Sequence, residues 1–289
     1  MSNVRPTTQH DYHERLNRVL LYIEQHRAEK LTLERLATVA CLSPFHFHRI
    51  FRAMVGESTG RYVQRIRLET AAVNLQTTSR TVLEIALDAG YESTAAFSRA
   101  FQERFGMAPS ACRHAHRLEL SVRKARQRRS MPTNIKPEIR QRPDTRVAFV
   151  RHTGRYADVG QAWEKVCGFI GSRGLFRSDT CIIGIGLDDP KITPEENIRY
   201  DACVTVGPDF KPHGEVGAQT IPGGRYAVFL HAGPYEKLIE TYDRIFCDWL
   251  PGSGEELKDQ PAFELYLNSP DRVPPDALRT EIWVPLKGK

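Results

Sequence analysis

Several features that define common protein classes are missing from these 289 residues. No uninterrupted apolar run approaches the roughly 18 residues that a membrane helix needs. The N-terminal stretch MSNVRPTTQHDYHER has no apolar core of the kind found in secretory signals. The six cysteines are scattered, without a C-x-x-C pair, which favours reduced thiols over a disulfide framework. We therefore expect a cytoplasmic protein that makes no contact with a membrane.

Motifs for catalysis and metal binding are also missing. The chain has no P-loop, no Rossmann glycine pattern, no Ser-His-Asp order and no metal-spaced His/Glu pair. His46 and His48 look at first like metal ligands, but residues two apart lie about 200° around a helix and cannot chelate as an i,i+4 pair could. We predict no catalytic residues, no metal and no cofactor, and we interpret His46 as structural.

Charge is unevenly distributed along the chain. Residues 1–130 contain 21 Lys and Arg against 12 Asp and Glu, a balance of +9, whereas residues 131–289 contain 20 against 23, a balance of −3. With 40% hydrophobic and 26% charged residues the composition is globular, and the length suggests roughly two domains. A basic half is typical of a domain that binds a polyanion, although a merely soluble basic surface would have the same charge.

The basic half contains two copies of one helical unit. Ser43 followed by Pro44 predicts a helix start, and apolar residues then recur at helical spacing. The stretch VLEIALDAGYESTAAFSRAFQERFG (82–106) repeats LERLATVACLSPFHFHRIFRAMVG (33–56) at an offset of 49 to 50 residues. Each copy predicts a helix, a short turn and a second helix, which is the helix-turn-helix plan. A polar face on the first copy's second helix contains Phe45, His48, Arg49 and Arg52.

Arg49 and Arg99 occupy the same place in the two copies. The helical stretch between the copies, GRYVQRIRLETAAVNLQ (60–76), could hold two recognition helices about one DNA turn apart. The pattern as a whole, especially IALDAGYESTAAFSRAFQERFGMAPSACR (85–113), resembles the AraC/XylS transcription regulators and most of all the Rob, MarA and SoxS branch. This resemblance covers about residues 12–115.

The resemblance implies that the protein binds promoter DNA. The implied contacts in the first copy are Phe45, where relatives often have tryptophan, His48, Arg49 and Arg52, and in the second copy they are Thr94, Ala95, Ser98 and Arg99. Ala95 departs from a polar residue common in the branch, so its contact is lost or becomes apolar, for instance to a thymine methyl. Phe45 has two open roles, contact with a base methyl or sugar and partial burial in the core. The resemblance therefore implies that the protein is a nucleoid-associated transcription regulator that contacts RNA polymerase.

The residues after this unit predict a linker and a second domain. A basic stretch within 116–134 is interpreted as a solvated connector that could also touch phosphates. Further on, residues 147–163 align with 226–242 at a constant offset of 79, matching His152 with His231, Gly154 with Gly233, Tyr156 with Tyr235 and Trp163 with Tyr242. Each copy predicts a strand, a glycine-containing turn and an amphipathic helix, followed by two more strand-like stretches. We therefore predict a pseudo-twofold α+β domain over 135–289, behind an all-α double helix-turn-helix domain over 1–115.

This second half resembles the GyrI-like, or SHS2-type, effector-binding domains through IPGGRYAVF, QPAFELYLNS and TEIWVPL. The family places an acidic residue among aromatics to bind a small cationic or amphipathic effector, and Glu264 is its best match here. A buried carboxylate attracts a lipophilic cation through Coulomb and cation–π interactions. Predicted walls of that site are Tyr156, Trp163, Tyr226, His231 and Trp283, although each of these residues, taken alone on an apolar face, could instead belong to the core. Two alternatives remain for this half, a small hydrolase and a gyrase-interacting module.

Overall fold

The computed structural model describes residues 6–127 and 135–288. Their contacts divide the chain into two compact units. One contains the residues up to Ala115 together with Lys211–Gly217, and the other contains His116–Phe210 and the chain from Ala218 onwards. The predicted linker, 116–134, is helical over 116–127, where it continues the helix Pro109–Gln127. Its residues 128–134 lie outside the described part of the chain.

Helices form the first unit. Within the described residues they are α1 (Pro6–Gln25), α2 (Leu33–Val39), α3 (Pro44–Val55), α4 (Thr59–Thr77), α5 (Val82–Asp88), α6 (Thr94–Phe105) and the first part, up to Ala115, of α7 (Pro109–Gln127). The pairs α2–α3 and α5–α6 are the two predicted helix-turn-helix units, and α4 connects them. At about 1.5 Å per residue, the 19 residues of α4 span roughly 28 Å.

The same local signals begin and end the second helix of each pair. The Ser43 hydroxyl accepts a hydrogen bond from the His46 backbone N–H at the start of α3, and Ser93 does the same for Ala96 in α6. Both helices end at a glycine with positive φ, Gly56 at +85° and Gly106 at +72°, a conformation that favours glycine. The predicted helix start at Ser43-Pro44 is confirmed.

Aromatic residues form the core of each pair. In the first, the Phe51 ring packs edge-on against Phe47 and Tyr62 with centroids 5.6 Å apart, and both phenylalanines are buried. In the second, Phe97 and Phe101 are buried with centroids 5.5 Å apart. The residues that match between the copies therefore include the core of each unit.

An ion-pair network joins α4 to its neighbours. The Arg65 guanidinium donates to Glu57, which precedes α4, at 2.6 Å and to Glu69 at 3.2 Å. Glu69 also accepts from Arg104 of α6 at 2.8 Å. Arg65 and Glu69 are buried, and a buried charge is stable only with partners of this kind.

A single sheet dominates the second unit. Its strands among the described residues are β1 (Glu138–Arg142), β2 (Thr145–Thr153), β3 (Ile182–Gly186), β4 (Arg199–Thr205), β5 (Gly217–Ile221), β6 (Gly224–Ala232), β7 (Phe263–Tyr266) and β8 (Arg279–Leu286). The eight strands have the order β1-β6-β8-β7-β3-β4-β2-β5, and the ladders from β1 through β6, β8, β7, β3 and β4 to β2 are antiparallel. The sequence predicted two sets of strands, which the structure joins through the β3–β7 ladder.

Helices follow β2 and β6, as the internal alignment predicted. α8 (Gly160–Ser172) follows β2, and α9 (Leu238–Asp243) follows β6 and continues as a π-helix (Arg244–Trp249) and the short α10 (Leu250–Ser253). One face of β6 and β8 supplies Ala227, Phe229 and Ile282 to a buried cluster with Leu238 and Ile245. This helix-covered face of the sheet carries the second candidate site.

Candidate functional site

The first candidate site is the outer face of α3. Phe45 is 67% exposed, Arg49 and Arg52 are exposed, and His48 is half-buried. The Arg49 guanidinium lies over the Phe45 ring, 5.6 Å from its centroid. Of the two roles left open for Phe45, partial burial in the core does not fit this exposure. The face presents two cationic side chains and one aromatic ring to solvent.

α6 presents a smaller version of the same face. Thr94, Ala95 and Arg99 are exposed and Ser98 is half-buried. Arg99 thus occupies on α6 the position that Arg49 has on α3, but Ala95 replaces the ring of Phe45. Arginine can donate to phosphates or to a guanine edge. The two helices therefore present an arginine at the same position, but with different side chains beside it.

The second candidate site surrounds Glu264 on β7. Glu264 is buried, and its carboxylate accepts hydrogen bonds from the Tyr242 hydroxyl at 3.1 Å and from the Tyr266 hydroxyl. The Tyr266 oxygen lies 2.8 Å from the Tyr200 hydroxyl oxygen. Burial raises the pKa of Glu264, and the two tyrosine bonds act against that shift. A carboxylate at this position is a localised negative charge in a largely aromatic setting.

Rings from α8, from the turns after β2 and β6 and from two strands complete this Glu264 site. The Trp163 ring of α8 packs edge-on against Tyr200 and Tyr266, with centroid distances of 6.2 and 5.7 Å. Tyr156 contacts Tyr200 at 5.9 Å, and Tyr235 contacts Tyr266 at 5.2 Å. Burial, together with the Glu264 charge, raises the pKa of Tyr156, Tyr200, Tyr235, Tyr242 and Tyr266. The hydroxyls therefore remain protonated donors near neutral pH.

Two glycines of β3 make room for these hydroxyls. Gly184 is the direct cross-strand partner of Glu264. An ideal Cβ at Gly184 would lie 2.1 Å from the Tyr200 hydroxyl oxygen and 2.7 Å from that of Tyr266, and one at Gly186 would lie 3.1 Å from the Tyr156 hydroxyl oxygen. A side chain at Gly184 would displace the tyrosine hydroxyls, so this glycine shapes the Glu264 site.

Of the predicted wall residues, the structure brings Tyr156 and Trp163 to Glu264 but not Tyr226 or Trp283. The register pairs Trp283 with Phe263, the residue before Glu264, so their side chains lie on the opposite face of the sheet. Tyr226 and Trp283 pack there against Phe263, with centroid distances of 5.4 and 5.5 Å. These two aromatics belong to the core of that face.

His231 is on the same face as Glu264 but its ring closes a turn. Nδ1 lies 2.7 Å from the Thr241 hydroxyl oxygen, and Nε2 lies 3.2 Å from the Pro234 carbonyl oxygen. The side chain is buried, and both ring nitrogens are engaged. These two contacts give His231 a structural role that does not require a ligand.

Sequence reasoning missed four tyrosines of the Glu264 site: Tyr200, Tyr235, Tyr242 and Tyr266. Tyr235 and Tyr242 were already aligned with Tyr156 and Trp163 at the offset of 79, so applying one copy's assignment to the other would have found them. Tyr266 follows Glu264 by two residues and shares its strand face. Tyr200 carried no local signal, because its position depends on the β3–β4 register, which pairs it with Gly186.

The described part of the chain holds no cluster of three or more His, Cys, Asp or Glu side chains arranged to bind a metal ion. None of its helices combines the length and the apolar character needed to cross a membrane.

These two sites define a helix-turn-helix protein with a separate ligand-binding domain, and family models identify both parts. A model described as GyrI-like small molecule binding domain matches residues 135–287, more than half of the chain. A helix-turn-helix domain model matches residues 36–115. The chain belongs to the GyrI-like family, and its helical part is an AraC-type DNA-binding domain.

Individual relatives agree with the helical part. The chain is 35% identical over 96 residues to the regulatory protein SoxS of Escherichia coli (strain K12), which covers 33% of this chain and 90% of SoxS. It is 37% identical over 102 residues to the uncharacterized HTH-type transcriptional regulator YbfP of Bacillus subtilis (strain 168). That match covers 35% of each chain, so the chain spans only about a third of YbfP.

One solved structure resembles nearly the whole chain. The cryo-EM structure of an EcmrR-DNA complex in EcmrR-RPo matches 89% of this chain and 99% of its own, with a TM-score of 0.50 and 15% sequence identity. At that identity the likeness concerns the fold alone.

Proposed function

We propose that the protein is a one-component transcription regulator that binds promoter DNA through α3 and α6 and a small cationic effector at Glu264. The observation that carries the DNA-binding half is the exposed arginine at the same position of both second helices, Arg49 and Arg99. The basic balance of residues 1–130 supports the same conclusion. The proposed contacts are Phe45, His48, Arg49 and Arg52 on α3, and Thr94, Ala95, Ser98 and Arg99 on α6.

The effector is proposed to be cationic because of the charge and its surroundings. Glu264 is a buried carboxylate next to Trp163 and a group of tyrosines, and aromatic rings attract cations most strongly where water is excluded. The proposed effector contacts are Glu264, Tyr156, Trp163, Tyr235 and Tyr266. Binding, not turnover, is the role that these contacts support.

We also propose that residues 135–289 form a pseudo-twofold unit of the SHS2 type, joined to a DNA-binding domain of residues 1–115. Equivalent turns support it: His152 Nε2 lies 2.9 Å from the Arg155 carbonyl oxygen, as His231 Nε2 does from Pro234 at 3.2 Å. Gly154 and Gly233 have φ of +132° and +128°. In this proposal the pseudo-twofold axis passes near the Gly184–Glu264 pair, so that both copies contribute side chains around the Glu264 carboxylate.

RNA polymerase is a proposed partner. Support comes from the fold likeness to the EcmrR-DNA complex in EcmrR-RPo. A pull-down of polymerase by the immobilised protein in the absence of DNA tests this contact separately from DNA binding.

The DNA-binding proposal is tested by selecting genomic fragments with the full-length protein and measuring affinities for the selected sequence. Arg49→Ala and Arg99→Ala are each expected to lose roughly 1–3 kcal/mol of binding free energy. Arg177→Ala removes an exposed arginine that pairs with Asp179 in the other unit and serves as the control. Unchanged binding by the Arg49/Arg99 double variant would overturn the docking through α3 and α6.

The effector proposal is tested by tryptophan fluorescence. A rhodamine cation is expected to quench emission, because Trp163 lies beside Tyr200 and Tyr266, and Glu264→Gln is expected to weaken the response at least tenfold, since it removes the attracting charge. Equal quenching of the wild type and the variant would remove Glu264 from the effector site.

A further inference from the structure

One arginine of the connecting helix α4 contacts backbone on the sides of both helix-turn-helix pairs. The Arg67 Nε–H donates to the Arg27 carbonyl oxygen at 2.7 Å, and a terminal N–H of the same guanidinium donates to the Glu29 carbonyl oxygen at 2.5 Å. Both carbonyls belong to the connection between α1 and α2, which leads into the first pair. The planar guanidinium has several N–H donors in a fixed arrangement, so it can hold two acceptors at once.

The same guanidinium lies against the turn of the second pair. An ideal Cβ at Gly90, between α5 and α6, would lie 2.7 Å from both Cζ and Nη1 of Arg67. No side chain therefore fits at Gly90 while the guanidinium keeps its place. The next residue, Tyr91, packs its ring edge-on against Phe97 of α6, with centroids 5.5 Å apart. The turn that Arg67 contacts is thus fixed to the second recognition helix.

The connection before α2 is fixed to the first pair in a similar way. The Glu29 carboxylate forms an ion pair with Arg35 of α2 at 2.8 Å. Leu36 of α2 and Phe47 of α3 belong to one buried cluster. Arg67 therefore bridges backbone that is tied to α3 and backbone that is tied to α6.

We propose that Arg67 sets the spacing of the two DNA half-sites to which α3 and α6 bind together. This inference rests on the proposed docking of both helices on one duplex. Two linked binding modules gain affinity from each other only where their geometry lets both bind at once, and a rigid link confines that gain to one spacing. For two helices in successive major grooves that spacing is about one helical turn, roughly 34–36 Å.

The test changes the spacing of the half-sites and nothing else in the DNA. The probe is the duplex selected for the Arg49 and Arg99 measurements, with its half-sites located by hydroxyl-radical footprinting. Inserting two base pairs between them moves one half-site by about 7 Å and about 70° around the axis. The full-length wild type is expected to bind the lengthened duplex about 100-fold more weakly than the original. Arg67→Ala is expected to lower this ratio to about tenfold or less, because α6 can then shift relative to α3.

A loss of stability alone would give a different result. Fewer folded molecules would weaken binding to every duplex by the same factor and leave the ratio of the two affinities unchanged. Arg67→Lys retains the charge and can donate to one carbonyl at a time, so it is expected to fold like the wild type and to give an intermediate ratio. This variant decides the test if Arg67→Ala does not fold. Arg61→Ala removes an exposed arginine from the same helix and is the matched control, with an expected ratio equal to that of the wild type.

Gly90 tests the other side of the contact. Gly90→Ala places a methyl group where the guanidinium lies, so it is expected to lower the ratio when Arg67 is present. Added to Arg67→Ala, the same substitution is expected to lower the ratio no further, because the guanidinium is already gone. Non-additive effects of this kind are typical of two residues in direct contact.

The outcomes separate this inference from the function on which it rests. A wild-type ratio for both Arg67 variants would overturn the role of Arg67 and leave the docking through α3 and α6 in place. Equal binding of the two duplexes by the wild type would also overturn it, because no spacing would then be set. Binding that does not depend on Arg49 or Arg99 would instead overturn the proposed docking itself.

Discussion

At the scale of single residues, the charge proposed to bind the effector, that of Glu264, comes with a cost in stability. Burial raises its pKa, which means that the folded protein holds the proton more tightly than the unfolded chain does. The stability that this proton provides is complete below the ordinary glutamate pKa of about 4.3. It is lost as the pH rises through the raised folded-state pKa. The ionised form is therefore the less stable one in the fold.

Glu264→Gln is expected to unfold at a higher temperature than the wild type at about pH 8 and at nearly the same temperature at about pH 4. The amide oxygen can still accept from a tyrosine, while the buried charge is gone. Thermal unfolding at the two pH values measures the difference. Glu281→Gln is the control with the opposite sign, because that carboxylate binds Arg140 and the Trp283 indole N–H, and its loss is expected to destabilise at about pH 8.

Gly184 is the other residue whose identity shapes the Glu264 site. Gly184→Ala is expected to lower the free energy of unfolding by about 1–3 kcal/mol, because the new methyl would overlap the Tyr200 hydroxyl. Gly168→Ala in α8 meets no atom within 4 Å and is expected to stabilise by up to about 1 kcal/mol, the helix propensity difference. Urea unfolding of both variants measures whether each substitution lowers or raises the free energy of unfolding. A stable Gly184→Ala would contradict the close approach of the tyrosines.

At the scale of elements, α4 depends on its ion-pair network. Glu69 is 4% exposed and accepts from Arg65 and Arg104. Glu69→Gln is expected to lower the stability of the helical unit by about 2 kcal/mol, because Arg65 remains buried with one ionised partner fewer. Urea unfolding followed by far-UV circular dichroism measures this loss. Glu103→Gln on the exposed side of α6 is expected to change it by less than about 0.5 kcal/mol.

The elements also divide into those that the sequence could predict and those that it could not. Helix starts such as Ser43-Pro44 depend on local backbone hydrogen bonds, so a few residues of sequence are enough to predict them. The edge strands β1 and β5, with sequences EIRQR and GAQTI, carry too few apolar residues to give a strand pattern. Their pairing comes from neighbours far along the chain.

Strand register decided which predicted wall residues meet. Strand alternation alone separates Glu264 from Phe263, but it does not tell which side of β6 or β8 faces the same way as Glu264. Tyr226 and Trp283 were therefore grouped with Glu264 although they pack against Phe263. The internal alignment contained part of the answer, since it relates Tyr156 to Tyr235.

At the scale of the whole molecule, the positive charge is concentrated in residues 1–130, the part of the chain that includes the proposed DNA contacts. Binding to duplex DNA releases counterions, so the logarithm of the affinity falls linearly with the logarithm of the salt concentration. Arg49→Ala and Arg99→Ala are each expected to reduce that slope by about 1 if the arginine contacts a phosphate. An unchanged slope with reduced affinity would instead assign the arginine to a base. Arg177→Ala is expected to leave both quantities unchanged.

The two proposed sites are coupled if the effector regulates DNA binding, and coupling between binding sites is reciprocal. If the cation changes the affinity of the protein for promoter DNA by a given factor, DNA must change the affinity of the protein for the cation by the same factor. We expect this factor to lie between about 5 and 150. Four dissociation constants measure it: DNA with and without the cation, and the cation with and without DNA. Glu264→Gln is expected to bring the factor for DNA to one, because it removes the charge that binds the cation. A factor of one in the wild type would contradict regulation of DNA binding and leave contact with RNA polymerase as the step that the effector controls.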